Sequence, residues 1–345
     1  MSDVLIRTEG RAGRITLNRP EALNAVTYDM VMAIDAALVE WAEDPEVGLL
    51  VIDAAGDKAF SAGGDIAELY RTGKAGDLAF GRRFWRDEYR MNRRLFHFPK
   101  PVVSFLHGFT MGGGVGVGCH ASHRVVDDSA RIAMPECGVG LVPDVGGSLI
   151  LARAPGRLGE YLGTTGFRMR PGDAIHAGFA DYFIPRDRWE GLKAELCASG
   201  DWEAVDRAAE PAPDSPLACE QGMIDRHFGG ERFGDILRSL RSERGEDTAA
   251  ILMAFDRNAP LSMACTVEMM HRLRGEAATI ERALDLEYRF TWRAMEHGDF
   301  LEGIRAAIID KDRSPTWRHR LEVVPPIAVS QMLRPLGADA LTWEE

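Results

Sequence analysis

The sequence predicts an α/β fold in its first half and a helical region in its second. Two apolar runs of strand length, 48–53 and 102–106, are continuous rather than alternating, the mark of strands covered on both faces. Segments with apolar residues at helical spacing lie between the strand-like runs. After about Pro185 the strand signals vanish and helical stretches follow. Strands alternating with helices read as α/β. The chain therefore divides into a core over 1–185 and a mostly helical C-terminal region over 186–345.

Residues 4–6 and 14–17 are short apolar strands around a turn from Gly10 to Gly13, which predicts a hairpin. Asn18-Arg19-Pro20 breaks the pattern. Thr27 can cap a helix whose apolar positions Met30, Val31, Ile34, Ala37, Leu38 and Trp41 share one face. Asp44-Pro45 ends it, and the buried strand 48–53 follows. Asp65 follows a glycine turn and can cap a helix containing Ile66 and Leu69. Residues 78–98 read as helix until Pro99 and Pro101 interrupt. After the strand 102–106 come three glycines, Gly112, Gly113 and Gly114, and then short strands at 124–126 and 131–133. Pro211, Pro213 and Pro216 mark a loop. Helical stretches are expected near 217–228, 232–243, 246–257, 262–273 and 278–297.

The chain has 345 residues, a net charge of −12 and 27% charged residues. That acidity argues against a nucleic-acid partner. The N-terminus lacks a basic segment followed by an apolar one, so no signal peptide is read. No apolar run approaches the roughly 18 residues of a membrane span. The five cysteines are scattered without a C-x-x-C pair, which fits reduced thiols in a cytoplasmic protein.

Two glycine turns, Ala62-Gly63-Gly64-Asp65 and the 112–114 run, each precede a helix. Backbone N–H groups at such places can converge on one oxygen and stabilise an oxyanion or enolate, and glycine lets a ligand approach closely. Two acids, Glu136 after Met134-Pro135 and Asp144 after Val142-Pro143, sit among apolar and glycine residues. Desolvation and mutual repulsion raise carboxylate basicity, which suits a base or nucleophile. The plain alternatives are empty turns, a helix cap at Asp144 and an ion pair at Glu136. His120 and His123 lack a third ligand, so no metal is expected. Gly116-Val117-Gly118-Cys119-His120-Ala121 matches a dinucleotide pattern but lacks the acidic partner about 20 residues on, and is rejected. No G-x-S-x-G elbow accompanies Ser61 or Ser104.

These residues carry a resemblance. Asn18-Arg19-Pro20 with Leu23-Asn24-Ala25, Phe60-Ser61-Ala62-Gly63-Gly64-Asp65, the stretch from His107 to Gly114, and Met134-Pro135-Glu136 resemble the crotonase (enoyl-CoA hydratase/isomerase) superfamily. The resemblance implies a spiral of β-β-α units that binds acyl-CoA, with an oxyanion hole at the N–H groups of Gly64 and Gly113. The hydratases' first glutamate would fall at Gly116, and Pro143-Asp144 stands where they have Pro-Gly. Those departures resemble the 3-hydroxyisobutyryl-CoA hydrolase branch. So do Thr165-Gly166-Phe167-Arg168, Leu286-Glu287-Tyr288-Arg289 and the run from Ile309 to Trp317. That branch's substrate contacts carry over onto Glu88, Gly113, Glu136 and Asp144.

The resulting expectation is hydrolysis of a short 3-hydroxyacyl-CoA thioester, as in valine breakdown, with Glu136 and Asp144 catalytic. Glu136 would attack the carbonyl or activate water. Asp144 would orient the water or the 3-hydroxyl, and Glu88 would line the acyl pocket. No cofactor is expected beyond the CoA of the substrate. Two alternatives stand: a hydratase or isomerase using Glu136 as base, and an acyl-CoA-binding protein without turnover. The exact acyl group and the oligomeric state, including a homo-oligomer, are left open.

Overall fold

The structure, a computed structural model, describes residues 2–275 and 278–343. Nine strands are found among them: β1 (Val4–Glu9), β2 (Ala12–Leu17), β3 (Leu49–Ala54), β4 (Ala59–Ser61), β5 (Val102–Leu106), β6 (Phe109–Met111), β7 (His123–Val126), β8 (Arg131–Ala133) and β9 (Tyr182–Phe183). They form a six-stranded sheet of order β1-β2-β3-β5-β7-β9 and a three-stranded sheet of order β4-β6-β8. The β1–β2 hairpin is antiparallel and the other pairings are parallel.

The order of the strands reveals the repeat. β3, β5 and β7 are successive neighbours in the large sheet, and β4, β6 and β8, each following one of them in the chain, are successive neighbours in the small one. Three β-β units thus wind in register. The segment after each small-sheet strand holds one residue singled out in the sequence: Gly64 after β4, Gly113 after β6 and Glu136 after β8. β4, β6 and β9 escaped the sequence reading. At two or three residues they are too short to show a period of two.

Packing groups the chain into two compact units interleaved in sequence. The first comprises 1–64, 87–133 and 168–219; the second comprises 65–86, 134–167 and 220–345. The change near residue 185 is one of secondary-structure type, since β9 is the last long-range strand, and does not coincide with the packing division.

The first unit holds both sheets. Its helix Tyr28–Glu43 starts at Thr27, whose hydroxyl accepts from the Met30 amide, and buries the six apolar positions the spacing marked. Trp41 packs on β2 at Gly13, where a Cβ would stand 2.5 Å from its ring. Helix Trp189–Ser199 covers the large sheet, with Trp189, Leu192 and Leu196 against Leu49, Val51, Val103 and Phe105. The histidine pair does not lie on a helix. Gly118 ends the helix Gly113–Gly118, and His123 begins β7, with its Nδ1 2.8 Å from the Ser122 hydroxyl.

The second unit is helical. Phe233–Ser242, Glu246–Arg257, Pro260–Arg272 and Ile280–His297 fall where the periodicity placed them, as does Pro216–Phe228, whose first residues are counted with the first unit. Its aromatic core runs from Tyr161 through Phe228 and Phe255 to Phe233, with centroids 5.5, 6.2 and 5.1 Å apart. No helix among the described residues is long and apolar enough to cross a membrane.

Candidate active site

The two glycine turns meet within the first unit because β4 and β6 are parallel neighbours, with Ala59 opposite Phe109 and Ser61 opposite Thr110. Strands that run side by side end side by side. A Cβ placed on Gly113 would stand 3.1 Å from the Gly64 nitrogen and 3.4 Å from the Gly63 carbonyl carbon. Gly113 opens the helix Gly113–Gly118, where the first N–H groups have no intrahelical acceptor. Gly63 at φ +114 and Gly112 at φ +49 adopt backbone conformations that favour glycine.

The Asn18-to-Ala25 motif braces this arrangement. The Asn24 side chain is buried, accepts from the Arg19 amide at 2.8 Å and donates to the Ala55 and Ala59 carbonyls at 2.9 Å. It thereby holds the motif against the start of β4. The Val26 amide donates to the Gly63 carbonyl at 2.8 Å, and the Ala62 amide to the Leu23 carbonyl at 2.9 Å. The motif's function is to fix the Gly63-Gly64 turn.

Glu88 lies on the helix Leu78–Phe96 and is buried. Its Oε1 would lie 3.3 Å from a Cβ on Gly113. The structure therefore brings Gly64, Gly113 and Glu88 together. Its neighbour Asp87 accepts from the Tyr28 hydroxyl at 2.8 Å.

The acids belong to the second unit. Glu136 opens a 3-10 turn, Glu136–Val139, directly after Pro135, and is 7% exposed; Asp144 is 5% exposed. The Glu136 Oε2 is buried and finds no hydrogen-bond partner among the described residues. Burial pushes the Glu136 carboxyl well above the ordinary glutamate range, and the Asp144 charge pushes it further, with a smaller push from Glu287. A buried carboxyl kept short of hydrogen bonds is a stronger base and nucleophile once ionised.

A short helix follows Asp144. That helix, Gly147–Arg153, has Gly146 at its N-cap, and Asp144 offers its backbone carbonyl to the Gly147 amide at 2.7 Å. The acid that takes the cap donors is Glu287, from helix Ile280–His297. It accepts from the Gly146 amide at 2.9 Å, from the Ser148 amide at 3.2 Å and from the Ser148 hydroxyl. Between Asp144 and Gly146, Val145 sits at φ +54, an outlier for a β-branched residue that costs about 1–3 kcal/mol.

Sequence reasoning missed Glu287 as a site residue. It is fully buried, and burial pushes its carboxyl up to about 8, with Asp144 adding to the push against the hydrogen bonds from Ser148 and Gly146. Two outcomes follow from this cluster. Asp144→Asn removes a negative neighbour, so the Glu136 carboxyl ionises at lower pH. The acid limb of a kcat–pH profile should move toward the ordinary carboxylate range, but only part way, because burial remains. An unmoved limb would show that the two acids do not interact.

The second outcome concerns stability. Folded Glu287 holds its proton up to about 8, whereas its ordinary value is 4.5. Between those values the folded state binds more protons than the unfolded, so stability falls as pH rises. Glu287→Gln should flatten that fall in chemical denaturation run across the window. An unchanged slope would contradict the assignment.

The sequence model of the enoyl-CoA hydratase/isomerase family matches residues 12–333, and the chain belongs to that family, whose enzymes act on acyl-CoA thioesters. It is 37% identical over 328 residues to the 3-hydroxyisobutyryl-CoA hydrolase, mitochondrial, of Rattus norvegicus, covering 92% of this chain and 84% of that protein. A solved structure described as an enoyl-CoA hydratase from Rhodobacter sphaeroides 2.4.1 is 58% identical, with TM-score 0.94, covering 99% of this chain and 100% of the other. Another, described as a carnitinyl-CoA dehydratase from Mycobacterium thermoresistibile, is 38% identical, with TM-score 0.93, covering 100% and 99%. The fold is the crotonase fold, as the resemblance implied.

Proposed function

We propose that this protein hydrolyses a short 3-hydroxyacyl-CoA thioester, 3-hydroxyisobutyryl-CoA before others, releasing the free acid and CoA as in valine breakdown. The observation that carries the reading is Glu136: a buried carboxyl with an unpartnered oxygen, raised basicity and Asp144 acting on it. Gly116 supports it, because the position of the first hydratase glutamate holds no acid. The identity to the rat hydrolase points the same way.

In this reading the N–H groups of Gly64 and Gly113 hold the thioester oxygen as it gains charge, each donor contributing about 3–4 kcal/mol in comparable sites. Glu136 attacks the carbonyl carbon to form an acyl–Glu136 anhydride that water then cleaves, or it takes a proton from a water that attacks the thioester directly. The thiolate of CoA leaves and is protonated, and a water oxygen ends in the carboxylate of the product. Asp144 orients the water or the 3-hydroxyl and shares protons with Glu136 as a coupled pair. Glu88 lines the acyl pocket.

The second reading, hydration of a short enoyl-CoA with Glu136 as base, is favoured by the description of the 58% identical structure. One assay separates the two. At a single enzyme concentration, thiol release from 3-hydroxyisobutyryl-CoA should be fast and hydration of crotonyl-CoA slow or undetectable. Hydration faster than thiol release would replace the first reading with the second.

A further inference from the structure

We propose that Glu287 is the positioning residue of the acid pair: it holds the strained Asp144–Val145–Gly146 turn in place and so aims Asp144. This rests on the hydrolase reading for what Asp144 does, but not for how the turn is held.

Val145 at φ +54 and Gly146 at φ +77 are successive left-handed residues. Glycine tolerates that conformation, but valine does not unless surrounding contacts impose it. The strained segment lies directly after Asp144, so relaxation of Val145 would swing the Asp144 side chain. Something must restrain it from the other side.

Glu287 supplies the restraint. Its two oxygens take the Gly146 amide, the Ser148 amide and the Ser148 hydroxyl, which bracket the strained residue on its C-terminal side. Two of these three donors are backbone, so the contact acts on the course of the chain and not merely on one side chain. Glu287 is fully buried in the middle of an 18-residue helix, which makes it a rigid anchor. The restraint is long-range: Glu287 is 141 residues from Gly146.

A carboxylate is a poor choice for a purely structural clamp at this place. The negative groups that bear on it and on Glu136 come from the turn and the 3-10 segment, Asp144 and Glu136 themselves. The cations on neighbouring positions are engaged elsewhere. Arg289 pairs with Asp285, Arg293 donates to the Met332 and Arg334 carbonyls, and Arg153 donates to the Ala278 carbonyl. Burying a third acid beside two others costs stability. The arrangement makes sense where the charge state of the cluster matters to the reaction, with Glu287 contributing to the field on the pair as well as to its geometry.

The test uses Glu287→Ala, Glu287→Gln and Ser148→Ala in the full-length protein, each checked by thermal melting. In amide hydrogen exchange, Glu287→Ala should expose the peptide containing Gly146 and Ser148 to faster exchange, while Ser148→Ala changes it less. In turnover of the wild type's best acyl-CoA, Glu287→Ala should lose about 10²-fold in kcat, the scale of a misplaced catalytic group, with KM nearly unchanged. Glu287→Gln keeps one acceptor and should restore part of the kcat. Unchanged exchange in the folded Glu287→Ala protein would overturn the proposal, whatever the activity. So would faster exchange with wild-type kcat. A wild type that releases no thiol from any acyl-CoA would sink the hydrolase reading alone, and exchange would still decide whether Glu287 holds the turn.

Discussion

Glu136→Gln should abolish nearly all turnover and leave the protein folded and able to bind acyl-CoA. The amide keeps the size of the side chain and fills the same buried space after Pro135, so packing is preserved. It removes the negative charge and the lone pair that attack or deprotonation needs. Losses for such a group are roughly 10⁴-fold or more in kcat. Asp144→Asn should cost less on its own. The double variant should be little worse than Glu136→Gln, because groups acting in one step are not additive. Stopped-flow thiol release with calorimetric binding of the substrate checks this. Additive losses would place the two acids in different steps, and a fully active Glu136→Gln enzyme would overturn the mechanism.

Gly113→Val should have the next largest effect. A Cβ at this position already lies 3.1 Å from the Gly64 nitrogen and 3.3 Å from the Glu88 Oε1, tighter than ordinary van der Waals contact. Two further methyl groups have nowhere to go except toward the paired N–H groups and the buried Glu88. The loss of one oxyanion donor is worth about 10²–10³ in rate. Gly113→Ala, with the single carbon, should be intermediate. Rates for both variants, measured beside their melting temperatures, separate loss of the donor from loss of the fold. A folded Gly113→Val protein with near-normal turnover would remove Gly113 from the oxyanion role.

Much of this was legible in the chain because the signals are local. Thr27 and the six apolar positions behind it define the helix Tyr28–Glu43 by spacing alone, and all six are buried. The second-half helices were equally plain, since each carries its own apolar period. Gly64, Gly113, Glu136 and Asp144 stood out as glycine turns after strands and as acids in apolar surroundings. What the sequence hid is long-range. β4 and β6 are three residues each, and their pairing, which sets the two glycine turns side by side, joins segments far apart in the chain. Glu287 entered only within the Leu286-to-Arg289 run of the resemblance, with no role attached, and its contacts with Gly146 and Ser148 reveal its place.

The central claim is that chemistry occurs at the thioester carbonyl and not across a carbon–carbon double bond. Turnover of 3-hydroxyisobutyryl-CoA in oxygen-18 water, followed by mass spectrometry of products and residual ester, tests it most directly. Hydrolysis places the label in the carboxylate of the released acid and leaves the 3-hydroxyl of the remaining ester unlabelled. Label entering the 3-hydroxyl of intact thioester, by reversible loss and addition of water, with no labelled free acid, would contradict the account.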